Sequence, residues 1–289
     1  MKIQTGRIAV QIHQKLGFSK SFIALSKTSD SNVSCRVFFP GCALMAHSPA
    51  LVDNTYTYLK QHLQDIEMMS ACCGKPSYIL GERNKYELNL NSIERQLRDQ
   101  GITEIIVACQ NCYMQFKRAY HDIKVTSLWE VMAEFGVDDK TQSRLANLNT
   151  PFSLHDPCPA RKENHIHDSI RVLLKKSQLN YVEFEQNREK TLCCGAGNML
   201  LALNPPAGLK QAHKRVDQSP TDFIITYCQS CVETFRMTGK TSVHLLELFF
   251  NETICTEEDL ELKTKSTRQK WKNRLQVKCS ICKMDSNTD

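Results

Sequence analysis

Ten of the fourteen cysteines form one five-member pattern that occurs twice. The first copy is Cys42, the adjacent pair Cys72-Cys73, then Cys109 and Cys112. The second is Cys158, the pair Cys193-Cys194, then Cys228 and Cys231. Written as spacings, they read C-x29-CC-x35-C-x-x-C and C-x34-CC-x33-C-x-x-C. The flanks repeat as well: Pro40-Gly41-Cys42 answers Asp156-Pro157-Cys158, Cys72-Cys73-Gly74 answers Cys193-Cys194-Gly195, and Ile105 to Cys112 answers Ile224 to Cys231. Self-similarity on this scale means that the chain is two like units, and it constrains the fold before any local pattern does.

Within each half, short apolar runs alternate with segments of helical spacing. Strands are expected at Arg36 to Phe39, Glu104 to Ala108 and Ile123 to Thr126, then at Phe152 to His155, Tyr181 to Phe184 and Phe223 to Tyr227. Helices are expected at 49–66, 84–100, from the turn at Cys109 to Cys112 through Tyr120, and at 129–135, then at 163–176, from 207, from 230 and at 243–250. Ser48 before Pro49 reads as an N-cap with proline at the first helical position. Such alternation predicts an α/β chain of two similar halves, each a small parallel sheet flanked by helices. The CCG and C-x-x-C segments then fall in loops at the carboxyl edge of the strands, where open α/β sheets bind ligands. The expected domains are an N-terminal extension over 1–34, cysteine-rich domains over 35–145 and 146–255, and a mobile basic tail over 256–289.

The net charge of +6 belongs to that tail. Lys263 to Lys283 holds eight Lys or Arg and no acid, which leaves 29 basic against 31 acidic residues elsewhere. A balanced body argues against nucleic acid as a partner. No apolar leader core and no run of 18 apolar residues is present, so the expectation is a cytoplasmic protein. Thiols there stay reduced, and clustered cysteines point to metal or catalysis before disulfides.

Three chemistries compete. Thiolates are soft ligands suited to iron and sulfide. Structural zinc takes four ligands, fewer than the five thiols of each copy. Dithiol exchange would use two cysteines per copy and leave three unexplained. Cysteines acting as small buried hydrophobes would not recur in a duplicated pattern.

The two copies resemble the cysteine-rich (CCG) domain, found twice in the heterodisulfide reductase family and also in iron–sulfur subunits of lactate, glycolate and glycerol-3-phosphate oxidising systems. The resemblance covers about Cys35 to Phe250. It implies one or two 4Fe-4S clusters, noncubane in the heterodisulfide reductase branch, held by Cys42, Cys72, Cys73, Cys109 and Cys112 and by Cys158, Cys193, Cys194, Cys228 and Cys231. It implies an iron–sulfur oxidoreductase subunit that reduces a disulfide or relays electrons. No ferredoxin run, G-x-G-x-x-G or P-loop occurs, so electrons are expected to pass to or from a redox partner that is ferredoxin-like, a flavoprotein or a dehydrogenase. A zinc-stabilised interaction module is the non-catalytic alternative.

Copy two has the longer first spacing, nearer the disulfide-reductase pattern, which makes Cys194 its candidate catalytic thiol. His155 and Asp156, just before Cys158, read either as a proton source or cluster-tuning hydrogen bond, or as a strand-end histidine and a turn cap. His47 reads as a loop residue, Arg161 and Lys162 as solvated cations rather than as groups that offset cluster charge or contact an anionic substrate, and Cys35 and Cys255 as structural. Cys279 and Cys282 form a third C-x-x-C without further ligands nearby. Trp271 and Leu275 among Lys and Arg hint at peripheral contact of the tail with an anionic inner-membrane surface, against a simply solvated tail.

Overall fold

A computed structural model describes residues 2–26, 35–148, 150–261 and 263–284, the side chains of 2–4 apart. The chain divides into two units, residues 3–128 with the segment from Lys265 on, and residues 129–264.

In the first unit, α1 (Lys2–Gly17) and β1 (Ala24–Leu25) lead to β2 (Arg36–Phe39), α2 (Cys42–His47), α3 (Pro49–His62) and β3 (Ile66–Ser70). Then follow α4 (Lys75–Ile79), α5 (Arg83–Asp99), β4 (Glu104–Val107), α6 (Gln110–Ala119) and β5 (Lys124–Ser127). The sheet order is β1-β3-β2-β4-β5, parallel except for β1, which pairs antiparallel with β3. Val37, Phe38, Ile105, Ile106 and Val107 are all at most 1% exposed, the continuous apolar signature of strands covered on both faces.

The second unit repeats the plan. It runs α7 (Leu128–Phe135), α8 (Asp139–Ala146), β6 (Phe152–His155), α9 (Asn164–Lys176), β7 (Tyr181–Glu183), α10 (Leu200–Leu203) and α11 (Pro205–Val216). β8 (Phe223–Thr226), α12 (Gln229–Arg236), β9 (Ser242–His244) and α13 (Leu245–Phe250) complete it. Its parallel sheet has the order β7-β6-β8-β9, the same as β3-β2-β4-β5.

The cap at Ser48 forms as expected: its side chain accepts from the Leu51 N–H, with Pro49 at the first helical position. The helix stops at His62, however, and residues 66–70 form a strand. Asp65 takes a left-handed φ of 54° at the break, and the Glu67 carboxylate accepts from the Ser26 hydroxyl, which lets an acidic residue sit in a buried strand. Residues 243–250 likewise split into β9 and α13.

Two peripheral segments differ from expectation. Residues 2–25 are more than an extension: α1 buries Val10 and Gln14, and β1 joins the sheet. The basic segment folds as α14 (Thr267–Met284) and packs on α2 and α3 of the first unit, burying Asn273, Val277 and Ile281. Residues 285–289, also assigned to the tail, lie outside the described residues. The units part at residues 128 and 129, before the expected boundary at 145–146, because α7 and α8 pack into the second unit. There, Arg144 of α8 donates to the carbonyls of Ile254 and Leu248.

Candidate functional site

Each of the ten repeated cysteines lies in a segment that follows a strand. Cys42 follows β2 and opens α2, Cys72-Cys73 follow β3, and Cys109 caps α6, whose first turn carries Cys112. In the second unit Cys158 follows β6, Cys193-Cys194 follow β7 by a loop, and Cys228 caps α12, which carries Cys231. The three strands concerned are neighbours in each sheet, so five thiols meet at one carboxyl edge. The unequal first spacings have a simple origin. One residue separates β3 from Cys72, whereas nine separate β7 from Cys193.

In the first unit Cys72 is hydrogen-bonded to Cys42, and Cys112 to both Cys109 and Cys73. These contacts, then burial, raise the Cys72 thiol well above its ordinary range; Cys112 rises for the same reasons. In the second unit Cys193 accepts hydrogen bonds from Cys158 and Cys194, and Cys231 donates to Cys194 and Cys228. These bonds raise Cys158, Cys194 and Cys231 and hold Cys193 down to about 2. Thiols gathered in this way could supply thiolate ligands to a metal group.

The glycine of each CCG has a structural reason. Gly74 and Gly195 take φ of 76° and 99°, and each turns its N–H onto the first sulfur of the pair, Cys72 or Cys193. At Gly195 a Cβ would lie 2.3 Å from the Gly208 carbonyl oxygen, so no other residue fits.

Segments outside the repeat complete the first site. The Gln14 amide donates to Cys72 Sγ at 3.3 Å, and Arg274 Nε donates to the Cys42 carbonyl at 3.0 Å. A cleft beside these thiols is lined by His13, Phe22, Cys42, Cys72, Trp271 and Arg274. Burial, and then the Arg274 charge, lowers His13 to about 4. Trp271 packs against His13 and Phe22, at ring distances of 5.2 and 4.9 Å, and does not stand out as a surface anchor. Sequence reasoning missed Gln14 and Arg274, because each acts across a long sequence separation and is of a residue type ordinarily found at the surface. His47 lies in α2 rather than in a loop, and its carbonyl accepts from Asn273.

In the second site His155 and Asp156 have distinct positions. Asp156 is fully buried, and its carboxylate accepts from both Arg171 Nη atoms at 2.6 and 2.7 Å, the Arg188 N–H at 2.7 Å and the Tyr227 hydroxyl at 2.8 Å. Burial alone would raise its pKa, but these donors lower it. Its carbonyl accepts from Thr191, whose own carbonyl accepts from Arg161, so Asp156 pins the loop that delivers Cys193. Arg161, expected to be merely solvated, is part of that brace.

His155 is fully buried; burial, then the Arg215 charge, lowers it to about 3. One of its ring nitrogens lies within 4.8 Å of the sulfurs of Cys194 and Cys231. Arg215, also fully buried, donates to His155 Nδ1 at 3.2 Å, to Gln218 and to the Gln186 carbonyl, all neutral acceptors. A buried cation without a paired carboxylate is costly, and the site therefore favours an anion. Burial lowers Arg215 to about 10, against the raising influence of Asp156 and of Cys231 and Cys194. Gln110 and Gln229, each directly after the first cysteine of C-x-x-C, bury both amide atoms without a hydrogen-bond partner among the described residues.

Cys35 is half-buried, while Cys255, Cys279 and Cys282 are exposed. No disulfide joins any of the cysteines.

This is a twofold α/β protein with one five-thiol site per unit. The cysteine-rich domain (CCG) family model matches residues 36–117 and 152–236, more than half of the chain, and the chain belongs to that family. An EtfAB:quinone oxidoreductase of Syntrophomonas wolfei is 27% identical over 56% of this chain and 24% of its own length. A component of the dihydromethanophenazine:CoB--CoM heterodisulfide reductase of Methanosarcina mazei is 26% identical over 79% of this chain and 60% of its own. The chain thus spans less than two thirds of either relative. Among solved structures, an aspartate racemase of Picrophilus torridus aligns over 83% of this chain and 97% of its own, at 14% identity and a TM-score of 0.33, too slight a likeness to inform function. No described helix is long and apolar enough to cross a membrane.

Proposed function

We propose that the protein is an iron–sulfur subunit of an oxidoreductase, with a 4Fe-4S cluster in each unit. Cys42, Cys72, Cys73, Cys109 and Cys112 would hold one, and Cys158, Cys193, Cys194, Cys228 and Cys231 the other. The observation that carries this reading is the meeting of five thiols at the ends of three adjacent parallel strands, twice. Five thiols exceed the four ligands of a zinc site, which favours a multi-iron group over the zinc-module alternative. The surroundings fit an anionic group: glycine N–H donors on sulfur, the unpaired Arg215 charge and the orphaned amides of Gln110 and Gln229. Bound there, the group supplies one-electron transfer.

The relatives named as quinone and heterodisulfide oxidoreductases support a separate redox partner as the source or sink of electrons. Disulfide reduction at Cys194 is the finer form of the reading, and electron relay within a dehydrogenase complex its alternative. Peripheral attraction to an anionic membrane would use the exposed Arg268, Lys272 and Lys283 of α14. Anaerobic purification with iron, acid-labile sulfide and zinc counted tests the reading. Iron with equal sulfide is expected; stoichiometric zinc without sulfide would transfer support to the zinc module.

A further inference from the structure

The internal repeat supplies its own control for His155. Counting back three residues from the lone cysteine gives Phe39 in the first copy and His155 in the second. Counting on four from the last cysteine gives Phe116 and Phe235. Phe39 meets Phe116 edge-on at 4.8 Å, and His155 meets Phe235 edge-on at 4.9 Å. An imidazole thus occupies a slot that the sister unit fills with a phenyl ring. Burying a polar ring there requires partners that phenyl does not.

One partner is present. Arg215 Nε–H donates to Nδ1, and the guanidinium lies over the Phe184 ring at 3.8 Å, fixed by its bonds to Gln186 and Gln218. An Nδ1 that accepts from an arginine cannot carry the ring proton, so the proton is on Nε2. Nε2 has no partner among the described residues. A neutral histidine that binds a metal through Nε2 needs its proton on Nδ1, where it would oppose the Arg215 N–H. The arrangement therefore excludes ligation through Nε2 and leaves a buried Nε2–H without a protein acceptor, on a ring that has one nitrogen within 4.8 Å of the Cys194 and Cys231 sulfurs.

We propose that Arg215 and His155 form a fixed donor pair for the second unit, in which His155 Nε2–H donates to sulfur of the group held by Cys158, Cys193, Cys194, Cys228 and Cys231 and raises its reduction potential. This rests on the iron–sulfur reading. The physical reason is charge: reduction adds an electron to sulfur-rich ligands, and a hydrogen-bond donor and a nearby cation stabilise the more negative state. His155 is a positioning and tuning residue here, not a proton source.

Two measurements test it. Redox titration followed by EPR compares the full chain with His155→Phe, which installs the first-copy residue, and with His155→Gln, which keeps an N–H donor. Iron and sulfide content should hold in both. The midpoint of one cluster should fall in His155→Phe by at least tenfold in the reduction equilibrium, about 59 mV for a one-electron couple, and recover in part in His155→Gln. An unchanged midpoint in His155→Phe overturns the proposal. The second measurement is long-range proton–nitrogen NMR of the metal-free chain labelled at histidine. His155 should be the Nε2–H tautomer in the parent and lose that preference in Arg215→Gln. An Nδ1–H tautomer in the parent refutes the donor pair regardless of what the site binds, whereas absence of iron with the Nε2–H tautomer intact would count against the iron–sulfur reading alone.

Discussion

At the scale of residues, the second site depends on a few buried charges placed with their partners. Asp156 and Arg171 form a bidentate pair with side chains 0% and 11% exposed. Asp156→Asn leaves Arg171 without its full counter-charge, at an expected cost of about 3–5 kcal/mol, measured by urea unfolding. The pH dependence follows from the sign of the shift. Asp156 is lowered from 3.8 on folding, so its contribution is complete above that value and is lost as pH falls through the lower folded value. The stability gap between parent and Asp156→Asn should therefore be full above about pH 4 and close on further acidification; a gap that widens in acid would contradict the assignment. Gly195→Ala should abolish assembly of the second site, read as loss of its metal with the first site retained, since Cβ would meet the Gly208 carbonyl. The ten cysteines were legible because their spacing repeats. Arg215 was not, since an arginine in a helix ordinarily marks solvent and only the fold reveals that it is buried beside His155.

Among the elements, the central strands were readable because burial on both faces leaves continuous apolar runs, as in β4 and β8. β3 was hidden by Glu67 and by methionines that suit a helix equally well, and its identity depends on the distant Ser26. α14 carries no local sign of its docking place. Its attachment through Asn273, which donates to the Ala46 and His47 carbonyls, and through Val277 and Ile281 makes it part of the first unit. Burying the two aliphatic side chains contributes roughly 1.5–3 kcal/mol each. Truncation after Glu261 should therefore destabilise the first unit and strip metal from Cys42 and Cys72, while the second site keeps its content. Equal metal at both sites after truncation would show that α14 is dispensable.

For the whole molecule, the account holds that two units of one design each assemble five thiols around an iron–sulfur group, independently. Because each donor set comes from a single unit, Cys228→Ser with Cys231→Ser should remove the second group and spare the first, and Cys109→Ser with Cys112→Ser should do the reverse. Native mass spectrometry of the anaerobically reconstituted full chain reads this most directly. The account expects mass increments of two four-iron, four-sulfide groups in the parent and of one in each double variant. Zinc-sized increments, or loss of both groups from either double variant, would contradict it.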